Sequence, residues 1–149
     1  IDIFEVINAA KTKPFGFNAF YPGPGLGGHC IPIDPFILSW KAKQFNFDTK
    51  FINLSGEINS LMPSYVFSRV KQIFNLNKLE LINSKLLIVG IAYKKNVDDL
   101  RESPALEIMN IFSKKSIKFD YHDDYIKKIP KTRKYLINKS SVNLNPKNL

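Results

Sequence analysis

Cys30 is the only cysteine in a chain of 149 residues, and it stands directly behind a glycine-rich run. Residues 23–34 read Gly-Pro-Gly-Leu-Gly-Gly-His-Cys-Ile-Pro-Ile-Asp. A thiolate is a nucleophile, and its fraction rises near positive charge or a helix N-terminus. Gly23, Gly25, Gly27 and Gly28 give the backbone freedom and leave room for a ligand, while Pro22, Pro24 and Pro32 stiffen the same loop. An unpaired cysteine is usually a small buried residue; a loop both permissive and rigid favours a site instead. Asp34, four residues later, suits two compatible roles. It can cap a helix opened by Pro35, and it can orient or activate a water.

A second group of reactive side chains lies at Tyr93-Lys94-Lys95-Asn96-Val97-Asp98-Asp99-Leu100-Arg101-Glu102-Ser103-Pro104. Lys94 offers a point charge for a carboxylate, hydroxyl or phosphate, and Arg101 offers a planar fork. The segment follows an apolar run, so it falls at the carboxyl end of a predicted parallel strand, where open α/β sheets bind ligands. A solvated connecting loop is the plainer alternative. Gly23, Gly25 and Gly28 also satisfy G-x-G-x-x-G, but that pattern cradles a dinucleotide only between a strand and a helix. Phe15 to Tyr21 lacks the aliphatic run of a buried strand, and Pro32 interrupts any helix. The glycines are therefore assigned to a substrate loop. His29, His122 and one cysteine make no zinc site, so no metal is expected.

These groups need elements to hold them. Ile3, Val6, Ile7 and Ala10 mark the end of an amphipathic helix closed by Pro14 and Gly16. A helix is predicted from Asp34-Pro35 through Lys43, an extended segment over 47–53, and a long helix over 55–75. Pro63 marks a kink in that helix or its true first turn. Lys85 to Ala92 reads as a strand buried on both faces, Ser103-Pro104 opens another helix, and Ile117 to Tyr121 forms a second strand. This is one βαβ unit, too small to bury its sheet alone.

The length suits one domain or two small pieces, and no apolar run approaches the roughly 20 residues of a membrane span. One cysteine points to a reducing, cytoplasmic setting. The net charge is +9, but Lys127, Lys128, Lys131, Arg133, Lys134, Lys139 and Lys147 supply most of it from a segment, 126–149, that contains no acid. That places the basicity in a solvated tail rather than in a nucleic-acid contact.

The two motifs, in this order and about sixty residues apart, resemble the UDP-glucose/GDP-mannose dehydrogenases, and within them the UDP-N-acetylglucosamine 6-dehydrogenase branch. The resemblance runs from residue 1 to about 125. It implies an α/β fold: a helical central and dimerisation region with a long connecting helix over 1–80, then part of a Rossmann-like, UDP-binding domain over 81–149. The family's N-terminal NAD-binding domain is expected to precede Ile1. The implied chemistry takes the C6 alcohol of a UDP-sugar, here a UDP-N-acetylhexosamine, to a uronate with two NAD reduced, as in polysaccharide biosynthesis. Cys30 matches the nucleophile that passes through a thiohemiacetal and a thioester, and Asp34 matches the acid that assists water. Tyr21, Gly23, Gly25 and Gly27 match the substrate loop, Tyr93 and Lys94 match substrate contacts, and Gly28 and Arg101 fall to the cofactor side. Pro14 stands near the place where some relatives carry an arginine donated to a neighbouring subunit. A homodimer through residues 55–75 is implied.

Two other classes compete. A catalytically inactive UDP-sugar-binding or dimerisation module predicts binding indifferent to Cys30→Ala. A nucleic-acid binder predicts steep salt dependence carried by 126–149. A thiol acyltransferase would use Cys30 and Asp34 but leaves the Lys94–Arg101 loop without a role.

Overall fold

The structure is a computed structural model that describes residues 1–132 and 134–145. Arg133 and Lys147 of the basic tail lie outside the described residues. Three helices come first: α1 (Ile3–Ala10), α2 (Asp34–Lys43) and α3 (Lys50–Leu76). A short 3₁₀ turn, Leu81–Asn83, leads into β1 (Lys85–Val89), α4 (Pro104–Lys114) and β2 (Lys118–His122). The strands pair in parallel, from Lys85 opposite Lys118 to Val89 opposite His122. A parallel pair needs a crossover, and α4 with its 14-residue approach supplies it.

The α/β class follows from the expected βαβ unit, but several boundaries differ. The segment 47–53 is not extended throughout, because α3 begins at Lys50. Thr49 donates to Ser39 Oγ at 2.7 Å and Ser39 Oγ to Asn53 Oδ1 at 2.6 Å. This polar tie fixes the first turn of α3 against α2. Pro63 does not open α3 either; it sits buried in the interior of a 27-residue helix. Asp34 is not an N-cap. Ile33 holds that position, no side chain caps the helix, and Asp34 is the first helical residue. The reason is that Cys30 O already accepts the Ile33 and Asp34 N–H groups, at 3.1 and 2.8 Å, so the turn begins earlier.

β1 is half-buried rather than buried on both faces, and Val89 is largely exposed. One face of the two-stranded sheet carries the apolar core. Leu86 and Ile88 pack there against a core of Ile91, Leu106, Met109, Phe112, Phe119 and Tyr121. Burying such a side chain contributes about 1.5–3 kcal/mol. The tail is not a solvated appendage. Ile126, Ile129, Tyr135 and Ile137 are buried in the same core, with lysines projecting outward between them. Lys128 and Ser140 form an antiparallel bridge, and the Val142 N–H donates to Tyr121 O at 2.8 Å. Among the described residues no helix is long and apolar enough to cross a membrane.

Candidate active site

The cysteine loop is held at both ends. The Tyr21 hydroxyl donates to Asn8 Oδ1 at 3.1 Å and accepts from Lys11 Nζ at 3.2 Å, and its ring stacks on Phe4. Tyr21 therefore anchors the loop to α1. At the other end the loop docks on the segment between β1 and α4. The Gly28 N–H donates to Arg101 O at 2.8 Å. A Cβ on Gly27 would lie 2.5 Å from Tyr93 Cβ and 3.0 Å from Glu102 O. Gly28 has a φ of +93°, with the Tyr93 ring against its backbone. A Cβ on Gly25 would approach Pro104 Cβ to 3.2 Å, whereas one on Gly23 would meet nothing. Three of the four glycines thus lie close against their neighbours, and Gly23 alone faces open space.

This docking brings the glycines before Cys30 onto the second constellation. The cysteine is exposed. Its carbonyl closes the first turn of α2, so Asp34 stands one helical turn after the thiol. Arg101 is gripped by Asp99, with Nε 2.8 Å and Nη2 2.6 Å from Oδ2. The hydrogen bond that Arg101 donates to Asp99, and next that carboxylate's charge, hold the Arg101 guanidinium above its ordinary value. Burial opposes this with a smaller effect. The same bond holds the Asp99 carboxyl below the usual range.

Two cavities flank the docked loop. One, of about 500 Å³, lies under it between Ile31, Pro32, Phe36, Ile52 and Pro104. The other, of about 490 Å³, opens at the carboxyl edge of both strands and is lined by Gly90, Tyr93, Lys94, His122 and Asp124. Cys30 lines neither; Gly27 and Gly28 meet Tyr93, Gly25 lines the second cavity with Tyr93 and Lys94, and Tyr21 is held apart against α1. Among the described residues no group of three or more His, Cys, Asp or Glu is placed to hold a metal ion.

Sequence reasoning read Ser103 only as a helix start and passed over Asp123, and both build this edge. Ser103 is buried and donates to Ile91 O at 2.6 Å, tying the start of α4 to the end of β1. Asp123 is also buried. Burial alone pushes its carboxyl up, but N–H groups of Ile91, Ile126, Tyr125 and Ala92 outweigh it and hold the group below the ordinary carboxylate value. An acid at the end of a second strand was the available signal.

Residues 1–61 match the model of the UDP-glucose/GDP-mannose dehydrogenase family, central domain, and residues 87–147 match that family's UDP binding domain. The chain belongs to the UDP-glucose/GDP-mannose dehydrogenase family. The second match runs well past residue 125, so the family likeness includes the tail. The packing of Ile126, Ile129, Tyr135 and Ile137 explains this, because the segment completes the domain's core. The chain is 36% identical over 125 residues to a UDP-N-acetyl-D-mannosamine dehydrogenase of Methanocaldococcus jannaschii, covering 84% of this chain and 27% of that one. It is 38% identical over 109 residues to an NDP-N-acetyl-D-galactosaminuronic acid dehydrogenase of Ralstonia solanacearum, covering 73% and 24%. The structure of a UDP-D-ManNAc dehydrogenase from Pyrococcus horikoshii superposes with a TM-score of 0.74 at 30% identity, over 84% of this chain and 29% of that one. The chain thus spans between 24% and 29% of the length of these family members.

Proposed function

We propose that this chain is the substrate-handling part of an NAD-dependent 6-dehydrogenase that oxidises the C6 alcohol of a UDP-N-acetylhexosamine to a carboxylate, with two NAD reduced. The observation that carries this reading is the docking of the cysteine loop on the loop after β1, through the Gly28 N–H and Arg101 O at 2.8 Å. It joins the region matching a central domain, two residues before Cys30, to the loop carrying Lys94 and Arg101 in the region matching a UDP binding domain. The named substrates of the relatives share an N-acetylated hexosamine, which favours that sugar class.

The described residues do not form a dinucleotide cradle. Gly25, Gly27 and Gly28 are filled against by protein, and the Gly28 amide is already committed to Arg101. NAD enters the proposal as the oxidant carried by a separate domain. Arg101, exposed and oriented by Asp99, is the contact this chain offers it, and Gly28 acts through Arg101. Lys94 and Tyr93 bind the nucleotide-sugar, Gly23 leaves room along it, and Tyr21 fixes the loop that wraps it. The Cys30 thiol adds to the C6 aldehyde as a thiohemiacetal, oxidation leaves a thioester, and water assisted by Asp34 releases the acid and the thiol. A homodimer forms through α3, which leaves Ile58, Leu61, Tyr65 and Ile73 half exposed or more.

A binding module without catalysis is the second reading, favoured by Cys30 lying outside both cavities. Calorimetric titration with UDP tests the shared part. We expect Lys94→Ala to weaken binding at least ~10-fold, the value of one hydrogen bond to a charged group. Unchanged affinity would remove Lys94 from the site. Turnover that survives Cys30→Ala undiminished, in the enzyme carrying an NAD-binding domain, would favour a role for this chain without thiol chemistry.

A further inference from the structure

The carboxyl edge of the sheet carries three groups that the mechanism leaves unused: His122, which ends β2, and the two aspartates after it. In doubly wound α/β folds the acid at this place reads the ribose hydroxyls of a nucleotide. Here two acids compete for it. Asp123 is 6% exposed. Its Oδ2 accepts from the Ile91 N–H at 2.8 Å, and its Oδ1 from the Tyr125 and Ile126 N–H groups at 2.9 Å. Both oxygens are spent on holding the end of β1 to the turn after β2.

Asp124 is disposed the opposite way. Its side chain is 83% exposed and lines the 490 Å³ cavity with Lys94 and Lys95. His122 lies beside it. The imidazole Nδ1 is 2.7 Å from Val142 O, which can only accept, so Nδ1 carries a hydrogen. Nε2 is 3.3 Å from Asp124 Oδ1 and donates to it only when the ring carries both protons. Gly90, with a φ of +80° and nothing within 4 Å of its absent side chain, keeps the floor of the same cavity open. The phosphate end departs from a dinucleotide fold. Gly25 sits against Pro104, the first residue of α4, so the helix N-terminus is covered. Lys94 and Lys95 supply positive charge at the cavity instead.

We propose that Asp124, lining this cavity with His122 and Lys94, accepts hydrogen bonds from the 2′,3′-diol of the bound nucleotide and makes this edge selective for ribonucleotides. The proposal rests on reading the edge as the UDP site. The test titrates the chain with UDP and with 2′,3′-dideoxy-UDP, with circular dichroism confirming that each variant is folded. The dideoxy nucleotide is expected to bind at least ~10-fold more weakly, the value of a single lost hydrogen bond to a charged group. Asp124→Ala is expected to bring UDP down to the same affinity, abolishing the preference. Lys94→Ala is expected to weaken both nucleotides and to preserve their ratio. If UDP binds through Lys94 but both nucleotides bind equally, the role of Asp124 is overturned and the UDP site stands. If neither binds the folded chain, the UDP site fails and the role of Asp124 with it.

Discussion

Adding one methyl group at Gly27 should separate the cysteine loop from the loop that carries Lys94 and Arg101. The new Cβ would fall 2.5 Å from Tyr93 Cβ and 3.0 Å from Glu102 O. Carbon atoms rest comfortably at about 3.5–4.0 Å, so the overlap with Tyr93 is about 1 Å. Neither neighbour can swing away, because one is a first side-chain carbon and the other is backbone. Shortening Tyr93 to alanine would therefore not relieve it. Overpacking of this kind costs about 1–3 kcal/mol. Undocking sets the ceiling, since the loop can escape by giving up the Gly28–Arg101 hydrogen bond, worth about 1 kcal/mol, and the contacts around it. We expect Gly27→Ala to lose about 2 kcal/mol by urea unfolding. The local readout is amide exchange at Gly28, whose N–H donates to Arg101 O in the docked state and should exchange much faster in the variant. Gly23→Ala is the control. Its Cβ meets nothing within 4 Å, so its stability should stay within about 0.5 kcal/mol of the parent. If the two variants unfold together and Gly28 stays protected in both, the docking argument is wrong.

Asp123→Asn replaces an acceptor of several N–H groups with a side chain that must turn a donor toward some of them. We expect a loss of about 2–4 kcal/mol in denaturant unfolding. Because the native carboxyl is held low, its contribution is complete above the usual carboxylate range and disappears as pH falls through the depressed value. Acid unfolding of the variant should accordingly be less steep than that of the parent, and equal steepness would count against it. Tyr135 is pushed up to about 12, first by burial, with Glu107 adding to the rise and Lys134 opposing it. Its contribution is full below the ordinary phenol value of about 10 and is lost as pH rises toward 12. Tyr135→Phe gives up the 2.7 Å bond to Glu107, about 1 kcal/mol at neutral pH, and should flatten the alkaline decline; an unaltered alkaline limb refutes the assignment.

The parts of the fold that could be read from the sequence are those where local chemistry and packing agree. Ser103-Pro104 starts α4 as its residue types require, and the apolar run before Gly90 is β1. The motif residues around Cys30 and Lys94 also meet, but for a reason that spacing cannot supply. Gly25, Gly27 and Gly28 serve a contact with residues more than sixty positions away, so their role emerges only when α4 and the central helices are placed. Two misreadings have the same origin. Lys50-Phe51-Ile52 carries aromatic and β-branched residues and looks extended, yet the Thr49–Ser39–Asn53 hydrogen bonds draw it into α3. The tail looks solvated because lysines dominate its composition, while a few apolar residues between them decide its position. Asp123 offered only its place at the end of the second strand as a signal. Its value lies in backbone N–H groups, from residues as far back as Ile91, that no residue pattern reveals.

The central claim is that Cys30 carries the second oxidation. The most direct measurement counts NADH formed per UDP-N-acetylhexosamine in the enzyme that joins this chain to an NAD-binding domain, with acid-quenched samples examined by mass spectrometry. The account predicts two NADH per sugar and a uronyl adduct on Cys30 in the parent, and a stall near one NADH with no adduct in Cys30→Ser. Two NADH per sugar at the parental rate in Cys30→Ser would contradict it.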